Sequence, residues 1–351
     1  MARVHSTEDI RAYLLTAIDA GHSNLANDAG RTFGITRQAV NRHLRALVAQ
    51  GVIRAVGTTR ARRYELVAKL HRKNFPLDGS LSEDRPWREF VRPLLDGVSE
   101  DVLSICQYGL TEMLNNAIDH SGGTTVTVSV RNSPVQVELG VMDDGVGIFR
   151  KIQNSLGLAD EQHAVLELTK GKLTTDPQRH SGEGIFFTSR VFDRFGLMSG
   201  ALYLAHSTSG DRDWLLEAKD PVPGTSVHMW IDSKSTRTLR EVFDRFSSPD
   251  HYRFTVTHVP VALASVGSEN LVSRSQARRL VVRLDLFDEV LLDFEGVPVI
   301  GQAFADEVFR VFANEHPNIK LKWINANQEV EAMIRRATAE RDLGRSQPAD
   351  A

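Results

Sequence analysis

Three short motifs, in a fixed order along the chain, constrain its fold more than any other feature. In the first, Glu112, Asn116 and His120 recur every four residues, so they project from nearly one face of a helix. The second, residues 143–147, reads Asp-Asp-Gly-Val-Gly and follows an alternating apolar run. The third, residues 181–184, reads Ser-Gly-Glu-Gly and precedes an apolar helical run. Together they predict an α/β domain in which a helix, a strand end and a glycine turn meet around one pocket.

The first two motifs carry groups suited to the metal and the base of a nucleotide. Asn116 offers an amide oxygen to Mg²⁺, which keeps several waters and needs few protein ligands. Glu112 lies one helical turn earlier and can hold or deprotonate a water or hydroxyl near the terminal phosphate. Asp143 can accept a hydrogen bond from an adenine amino group, and Gly145 and Gly147 let the base approach the backbone. The sequence therefore predicts ATP and Mg²⁺ as ligands.

The third motif and the segment before it would hold the phosphates. Gly182 and Gly184 open a helix, and the backbone amides at a helix N-terminus form an anion site. Residues 149–180 precede this turn and form a long stretch, which we expect to be a mobile lid. Lys170 and Lys172 lie in that stretch as candidate phosphate contacts. A solvated loop accounts for these lysines equally well, and each motif alone also fits a plain turn or strand end.

The order Glu-x-x-x-Asn, Asp-x-Gly-x-Gly, Gly-x-Gly over about residues 85–232 resembles the GHKL superfamily of gyrases, heat-shock chaperones, histidine kinases and mismatch-repair ATPases. The resemblance implies a Bergerat-type α/β sandwich that binds Mg-ATP. It also implies that Asn116 binds the metal, Asp143 binds adenine and Glu112 is the general base. Thr225 follows Gly224 at the turn of the closing strand and is a further candidate for nucleotide binding.

The first 73 residues differ in charge from the rest of the chain. They contain 13 lysines and arginines against 5 acids, whereas the whole chain has a formal net charge of −3. Such asymmetry is typical of a module that binds a polyanion. The apolar periodicity predicts three helices followed by a β-hairpin.

The third helix and the hairpin resemble a bacterial winged helix-turn-helix domain, through the string TRQAVNRHLRALVAQGVIR at residues 36–54. The resemblance implies a helix in the major groove of double-stranded DNA and a wing on the backbone or in the minor groove. Arg, Gln and Asn side chains can pair with base edges, and the arginines of the hairpin would neutralise phosphates. The candidate DNA contacts are Arg37, Gln38, Asn41, Arg42, Arg60, Arg62 and Arg63. A solvated basic helix or a protein-docking module is the alternative.

Residues 253–341 alternate strands and helices, which predicts a small α/β layer. The segment LLDFEGVPVIGQAFADE at residues 291–307 resembles the STAS-like fold of anti-anti-sigma factors. Those factors place a phosphorylatable Ser or Thr at the start of the helix that follows this strand. Here Gly301-Gln302-Ala303 stands at that place and has no hydroxyl. The resemblance therefore implies a surface for a protein partner or for dimerisation, and a purely structural role fits equally.

The expected architecture is a multidomain α/β protein. A winged-helix domain would span residues 1–73, a Bergerat-type α/β sandwich 85–232 and a STAS-like α/β domain 253–341, with a linker at 74–84. The single cysteine, Cys106, excludes a disulfide within the chain. No apolar stretch reaches the length of a membrane span, and the N-terminus lacks the apolar core of a signal peptide. We therefore expect a cytoplasmic protein without a membrane partner.

Three functions fit these motifs. The first is an ATP-binding, ATP-hydrolysing regulator in which the nucleotide site controls a DNA-binding domain; if the protein is a homodimer, it would bind two DNA half-sites one helical turn apart. The alternative is a serine/threonine protein kinase of the anti-sigma-factor type that acts on a partner in trans. The third is a non-catalytic, ATP-gated scaffold. Sequence alone does not separate ATP hydrolysis from ATP binding.

Overall fold

The computed structural model describes residues 6–58, 62–174, 181–248, 253–265 and 269–345, with side chains described as far as residue 339. Its first part contains three helices and a two-stranded antiparallel hairpin, in the element order that the periodicity predicts. Ser6 and Thr36 cap the first and third helices through their hydroxyl oxygens. The elements are α1 (Thr7–Asp19), α2 (Leu25–Phe33), α3 (Arg37–Ala49), β1 (Ile53–Val56) and β2 (Arg63–Leu66).

This N-terminal module has a hydrophobic core of its own. Ile10 and Leu14 of α1, Val40 and Leu44 of α3 and Ile53 of β1 are buried together in it. The apolar residues of α3 recur at helical spacing on one face, which leaves its basic side chains on the opposite face. The module is therefore a separate packing unit within the chain.

A five-stranded antiparallel sheet forms the middle of the molecule. Its strand order is β3-β4-β5-β7-β6, and a layer of helices packs against it. Val126, Val128 and Val130 alternate with half-buried residues along β4, which is the period-2 pattern of a strand with one face in the core. The strands are β3 (Lys69–Pro76), β4 (Thr125–Asn132), β5 (Gln136–Asp143), β6 (Arg194–Ser207) and β7 (Arg212–Asp232).

The middle part also contains helices, of which one carries the first motif and another follows the third. The segment before them, α4 (Asp84–Pro86), continues through a π-helical turn at Trp87–Val91 and a 3₁₀ turn at Arg92–Leu94. The others are α5 (Glu100–His120), α6 (Ile148–Leu156), α7 (Glu161–Lys170) and α8 (Gly184–Val191). Helix and sheet layers thus form an α/β sandwich.

Two expectations about this region are wrong. The predicted linker begins inside β3, which pairs with β4 from Lys69 to Pro76 and buries Phe75, so the central sheet starts at residue 69 and the N-terminal module ends before it. The predicted lid at 149–180 is largely helical, because α6 and α7 bury apolar residues such as Phe149 and Val165. Residues 175–180 of that predicted lid lie outside the described residues.

The C-terminal part is a three-stranded parallel sheet, ordered β10-β9-β8, with helices between its strands. The apolar central strand β9 is parallel to both neighbours, as predicted for a buried strand. The helix α11 continues through a π-helical turn, Glu307–Phe312, into α12. The elements are α9 (Leu239–Phe246), β8 (Val256–Pro260), α10 (Arg274–Val281), β9 (Glu289–Asp293), α11 (Gln302–Asp306), α12 (Ala313–Glu315), β10 (Lys320–Ile324) and α13 (Gln328–Arg345).

The middle and C-terminal parts share one continuous hydrophobic core. Helix α7 contacts β6 of the central sheet on one side and β8 of the C-terminal sheet on the other. Phe186 of α8 packs on Phe254 with ring centroids 4.6 Å apart. Within the described part of the chain, no helix is both long and apolar enough to cross a bilayer.

Candidate functional site

The three sequence motifs meet around one cavity of about 330 Å³ in the middle domain. This volume lies at the lower end of the range typical of small-molecule sites. The cavity opens between α5, the end of β5, α6 and the glycine turn before α8. Its lining includes most of the predicted nucleotide contacts, namely Glu112, Asn116, Asp143, Gly147, Gly182, Gly184 and Thr225.

Helix α5 presents Glu112 and Asn116 to this cavity. Ser99 caps the helix, and a buried apolar stripe that includes Ile105 and Leu110 fixes its rotation against the sheet. Because Glu112 and Asn116 lie one turn apart, both half-buried side chains face the same space. A carboxylate and an amide oxygen therefore stand side by side at one end of the cavity.

Asp143 ends β5 and lines the same cavity. Its Oδ1 accepts hydrogen bonds from the backbone N–H groups of Gly145, at 2.9 Å, and Thr225, at 3.2 Å. The Thr225 hydroxyl oxygen also accepts from the Ile148 N–H at 3.1 Å, which ties α6 to β7. Burial raises the pKa of the Asp143 carboxyl above its usual range, against the lowering effect of these hydrogen bonds. A fixed, desolvated carboxylate suits recognition of an exocyclic amino group.

The neighbouring acid, Asp144, has a different role. Its Oδ1 accepts from the backbone N–H groups of Thr124, at 2.7 Å, and Thr125, at 2.9 Å, and its Oδ2 accepts from the Thr124 hydroxyl at 2.7 Å. Asp144 does not line the cavity. It therefore joins the motif turn to the start of β4, which leaves Asp143 as the ligand-facing acid.

Glycine is required at two positions of the site by close approach of other atoms. A Cβ at Gly145 would lie 2.2 Å from the backbone oxygen of Ser121, so this turn passes directly over the end of α5. A Cβ at Gly184 would lie 2.0 Å from Oε2 of Glu112. The Glu112 carboxylate therefore lies against the start of α8, where free backbone N–H groups favour an anion.

Apolar side chains complete the wall between these polar ends. Ile148 and Ile152 of α6, Leu197 of β6 and Val227 of β7 line the cavity near Asp143 and Thr225. A flat aromatic base could be buried between such side chains while its amino group meets the carboxylate. The site thus has an apolar end beside Asp143 and Thr225 and a polar end at Glu112 and Asn116.

The structure does not bring Lys170 and Lys172 to the cavity, in contrast to their prediction as phosphate contacts. The Lys170 ammonium is fully buried and bonds Oε1 of Glu167 at 2.6 Å. The Lys172 ammonium donates to the backbone oxygen of Leu286 at 2.6 Å, in the C-terminal part. Neither lysine nor any of these bonded groups lines the cavity, so a phosphate contact would require breaking these bonds.

Lys151 is a cationic side chain of the site that the motifs did not identify. It lines the cavity from α6 and donates to the backbone oxygen of His120 at 2.6 Å. Burial lowers its pKa, while the Asp119 carboxylate nearby acts in the opposite direction. The sequence feature that could have identified it is its position four residues after Gly147, on the helix that follows the second motif. Its charge is suited to phosphate oxygens.

A divalent cation fits the polar end of the cavity. No group of three or more His, Cys, Asp or Glu side chains within the described residues is arranged to hold a metal. Magnesium needs few protein ligands because phosphate and water oxygens complete its octahedron. The Asn116 amide oxygen, half-buried and beside a carboxylate, satisfies that smaller requirement.

The predicted DNA contacts that lie within the described residues are on the surface of the N-terminal module. Arg37, Gln38 and Arg42 are exposed on α3, and Asn41 is half-buried among them. Arg62 and Arg63 are exposed at the start of β2. Arg60 lies outside the described residues.

Comparison with known proteins identifies two domains. Residues 104–235 match the family of histidine kinase-, DNA gyrase B- and HSP90-like ATPases. Residues 276–331 match a STAS-like domain of unknown function. No curated protein sequence gives a significant match to the chain. The chain therefore contains a GHKL-type ATPase domain, whose match covers every nucleotide-site residue described above, and a STAS-like domain that packs against it.

Proposed function

We propose that this protein is a Mg-ATP-binding, ATP-hydrolysing regulator whose nucleotide site controls a DNA-binding N-terminal module. The observation that supports the ATP site most strongly is the shared cavity. Glu112 and Asn116 of α5 and Asp143 at the end of β5, which belong to two separate motifs, line one space inside a GHKL-type domain. Such a domain implies nucleotide binding, usually with Mg²⁺.

In this proposal each wall of the cavity has one task. Asp143 accepts a hydrogen bond from the adenine amino group, and the Thr225 N–H holds the Asp143 carboxylate in place. Ile148 and Val227 exclude water from the adenine base. Asn116 would hold Mg²⁺, which when bound neutralises phosphate charge and orients the terminal phosphate. Glu112 accepts a proton from the attacking water.

Substitution of the proposed general base, Glu112, tests ATP hydrolysis separately from ATP binding. Glu112→Gln keeps the shape of the side chain but removes its basicity, so we expect turnover to be abolished while ATP still binds. Glu100→Gln changes an exposed acid on the first turn of the same helix and is the matched control, with unchanged turnover. Phosphate release and ATP affinity measured together decide the role; full turnover in Glu112→Gln refutes it.

DNA binding is supported by the exposed face of α3. Arg37, Gln38 and Arg42 point away from the apolar face that packs in the module's core. This segment belongs to the stretch with 13 basic and 5 acidic residues. A basic helix that presents Arg and Gln side chains, followed by a basic hairpin, suits the major groove and adjoining phosphates.

Two arginines test this part of the proposal. Arg42→Ala should weaken binding to duplex DNA, and Arg62→Ala should also lower the slope of log affinity against log salt by about 1. Arg31→Ala is the control, because Arg31 is exposed on α2 and pairs with Asp28 at 3.2 Å. Equal DNA retention by all three variants and the parent protein would remove DNA binding from the proposal.

A protein kinase of the anti-sigma-factor type is the second candidate, since a GHKL-type site and a carboxylate such as Glu112 suit phosphoryl transfer. The residue that caps α11 is Gly301, and Gln302-Ala303 follow it, so the STAS-like domain offers no hydroxyl there. The substrate would therefore be a partner in trans. Incubation with labelled ATP, read separately as released phosphate and as labelled protein, distinguishes the two candidates.

A further inference from the structure

The loop that follows α7 is held from outside the ATPase domain. Arg283, between α10 and β9 of the STAS-like domain, donates through Nη2 to the backbone oxygens of Gly171, at 3.2 Å, and Lys172. Its Nη1 lies 3.1 Å from Oε2 of the buried Glu167. One guanidinium thus fixes both the last turn of α7 and the loop after it.

Two lysines complete the contact from the other direction. Lys170 donates to the backbone oxygens of Arg279, at 3.1 Å, and Val282, at 2.8 Å. Lys172 reaches the backbone oxygen of Leu286. The segment 279–286 of the STAS-like domain therefore meets the segment 167–172 of the ATPase domain through charged groups on both sides.

The backbone at this contact is constrained. Lys172 has φ 52° and Arg283 has φ 61°, a left-handed conformation that side-chain-bearing residues adopt only when their surroundings enforce it. Each of these two residues makes hydrogen bonds to the other domain's backbone. The conformation of the loop thus depends on the STAS-like domain.

The same loop forms part of the nucleotide cavity. The Leu173 N–H donates to the backbone oxygen of Gly182 at 3.1 Å, and Leu173, Gly182 and Gly184 all line the cavity. Gly184 in turn lies against the Glu112 carboxylate. A continuous set of bonds therefore runs from Arg283 through residues 171–173 to the glycine turn at the polar end of the site.

We propose that Arg283 is a positioning residue of the nucleotide site: from the STAS-like domain it holds the 171–173 loop so that the glycine turn is set to receive the phosphates. This inference rests on the ATP function proposed above. Among the described residues, Asp143 and Thr225 share no hydrogen bond with Arg283 or with residues 171–173. Substitution of Arg283 should therefore weaken binding of the nucleotide's phosphates and leave binding of the adenine base unchanged.

Binding of ATP and of adenosine to the full-length protein, measured by calorimetry with Mg²⁺, tests this. Arg283→Ala should lose about tenfold in ATP affinity, the effect of one charge-assisted hydrogen-bonding group, and keep the adenosine affinity of the parent protein. Arg278→Ala is the matched control. Arg278 lies directly before the segment 279–286 and pairs with Glu307 of the STAS-like domain, 2.8 Å away. It should leave both affinities unchanged.

A second measurement uses the unmodified protein and does not depend on the folding of a variant. By reciprocity, ATP should slow amide hydrogen exchange in residues 279–286, whereas adenosine should not. Equal losses for both ligands in Arg283→Ala, no loss for either, or no ATP-specific protection would each overturn the positioning role. Failure of the unmodified protein to bind either ligand would instead refute the proposed nucleotide function, and the positioning role with it.

Discussion

At the scale of single residues, the second motif shows how one dipeptide supplies two different carboxylates. Hydrogen bonds from Thr124 and Thr125 lower the pKa of Asp144 to about 2. Burial raises the pKa of Asp143. Asp144 is therefore a carboxylate whose hydrogen bonds join the motif turn to β4. Asp143 is a partly desolvated carboxylate that lines the cavity, where a ligand can bind it.

The raised pKa of Asp143 predicts how binding of the base depends on pH. The carboxylate is the better acceptor, so adenosine affinity should be full above its pKa and fall as pH drops through it, at a higher pH than for an ordinary aspartate. Asp143→Asn should lower the affinity by roughly ten- to a hundredfold and remove this pH dependence. Adenosine is the ligand to titrate, because it lacks phosphates that would titrate themselves. Parallel pH profiles for the two proteins would contradict the assignment.

Gly184 gives a second prediction at this scale. An alanine methyl there would occupy the place of the Glu112 carboxylate, which must then move away from the start of α8. Gly184→Ala should therefore reduce ATP turnover more than ATP affinity. Combining it with Glu112→Gln checks the mechanism: if the glycine acts through Glu112, the double variant loses no more turnover than Glu112→Gln alone.

At the scale of elements, the sequence predicted what local periodicity encodes. The four-residue spacing of Glu112 and Asn116 predicted helix α5, and the alternating apolar run before Asp143 predicted the end of β5. The structure brings these residues together around one cavity. Helices α6 and α7 were missed because the glycines and lysines around them suggested a loop. The burial of Lys170 depends on carbonyl oxygens more than a hundred residues away, which no local pattern contains.

Helix α7 ends in a buried ion pair whose effect on stability depends on pH. Burial lowers the pKa of Lys170 to about 8, although Glu167 opposes the shift. The pKa in the unfolded chain is about 10.4, so between these values the unfolded state binds more protons and folding becomes more favourable as pH rises. Relative to Lys170→Met, the free energy of unfolding should therefore increase from pH 8 to pH 10.4. Urea unfolding of both proteins at the two ends of this window is the measurement; a constant difference would contradict the buried position.

At the scale of the whole molecule, the described residues form two hydrophobic cores, although the chain has an N-terminal, a middle and a C-terminal part. The N-terminal module differs in charge from the rest of the sequence, and in the structure it has a hydrophobic core of its own. The ATPase and STAS-like domains share theirs. Polar contacts also link them: Arg212 of β7 pairs with Glu295 at 2.9 Å, and His258 of β8 lies 3.7 Å from Asp211 of the ATPase domain. Such cross-domain contacts are set by tertiary placement and leave no periodic signal in the sequence.

Two cores predict two unfolding transitions, of which one responds to nucleotide. All four tryptophans, Trp87, Trp214, Trp230 and Trp323, lie outside the N-terminal module, so tryptophan fluorescence follows only the ATPase and STAS-like unit, whereas circular dichroism follows both. Mg-ATP at about 100 times its dissociation constant should stabilise that unit by about 2.7 kcal/mol and raise its single fluorescence transition by several degrees.

The smaller transition, seen by circular dichroism alone, should not move with Mg-ATP, because no nucleotide contact lies in the module's core. Nucleotide would then control DNA binding through the placement of the module and not through its folding. The connection is suited to this, since only residues 67 and 68 separate β2 from the edge strand β3. Two separate fluorescence transitions would show that the ATPase and STAS-like domains unfold independently. A shift of the smaller transition with Mg-ATP would show that nucleotide acts on the stability of the module itself.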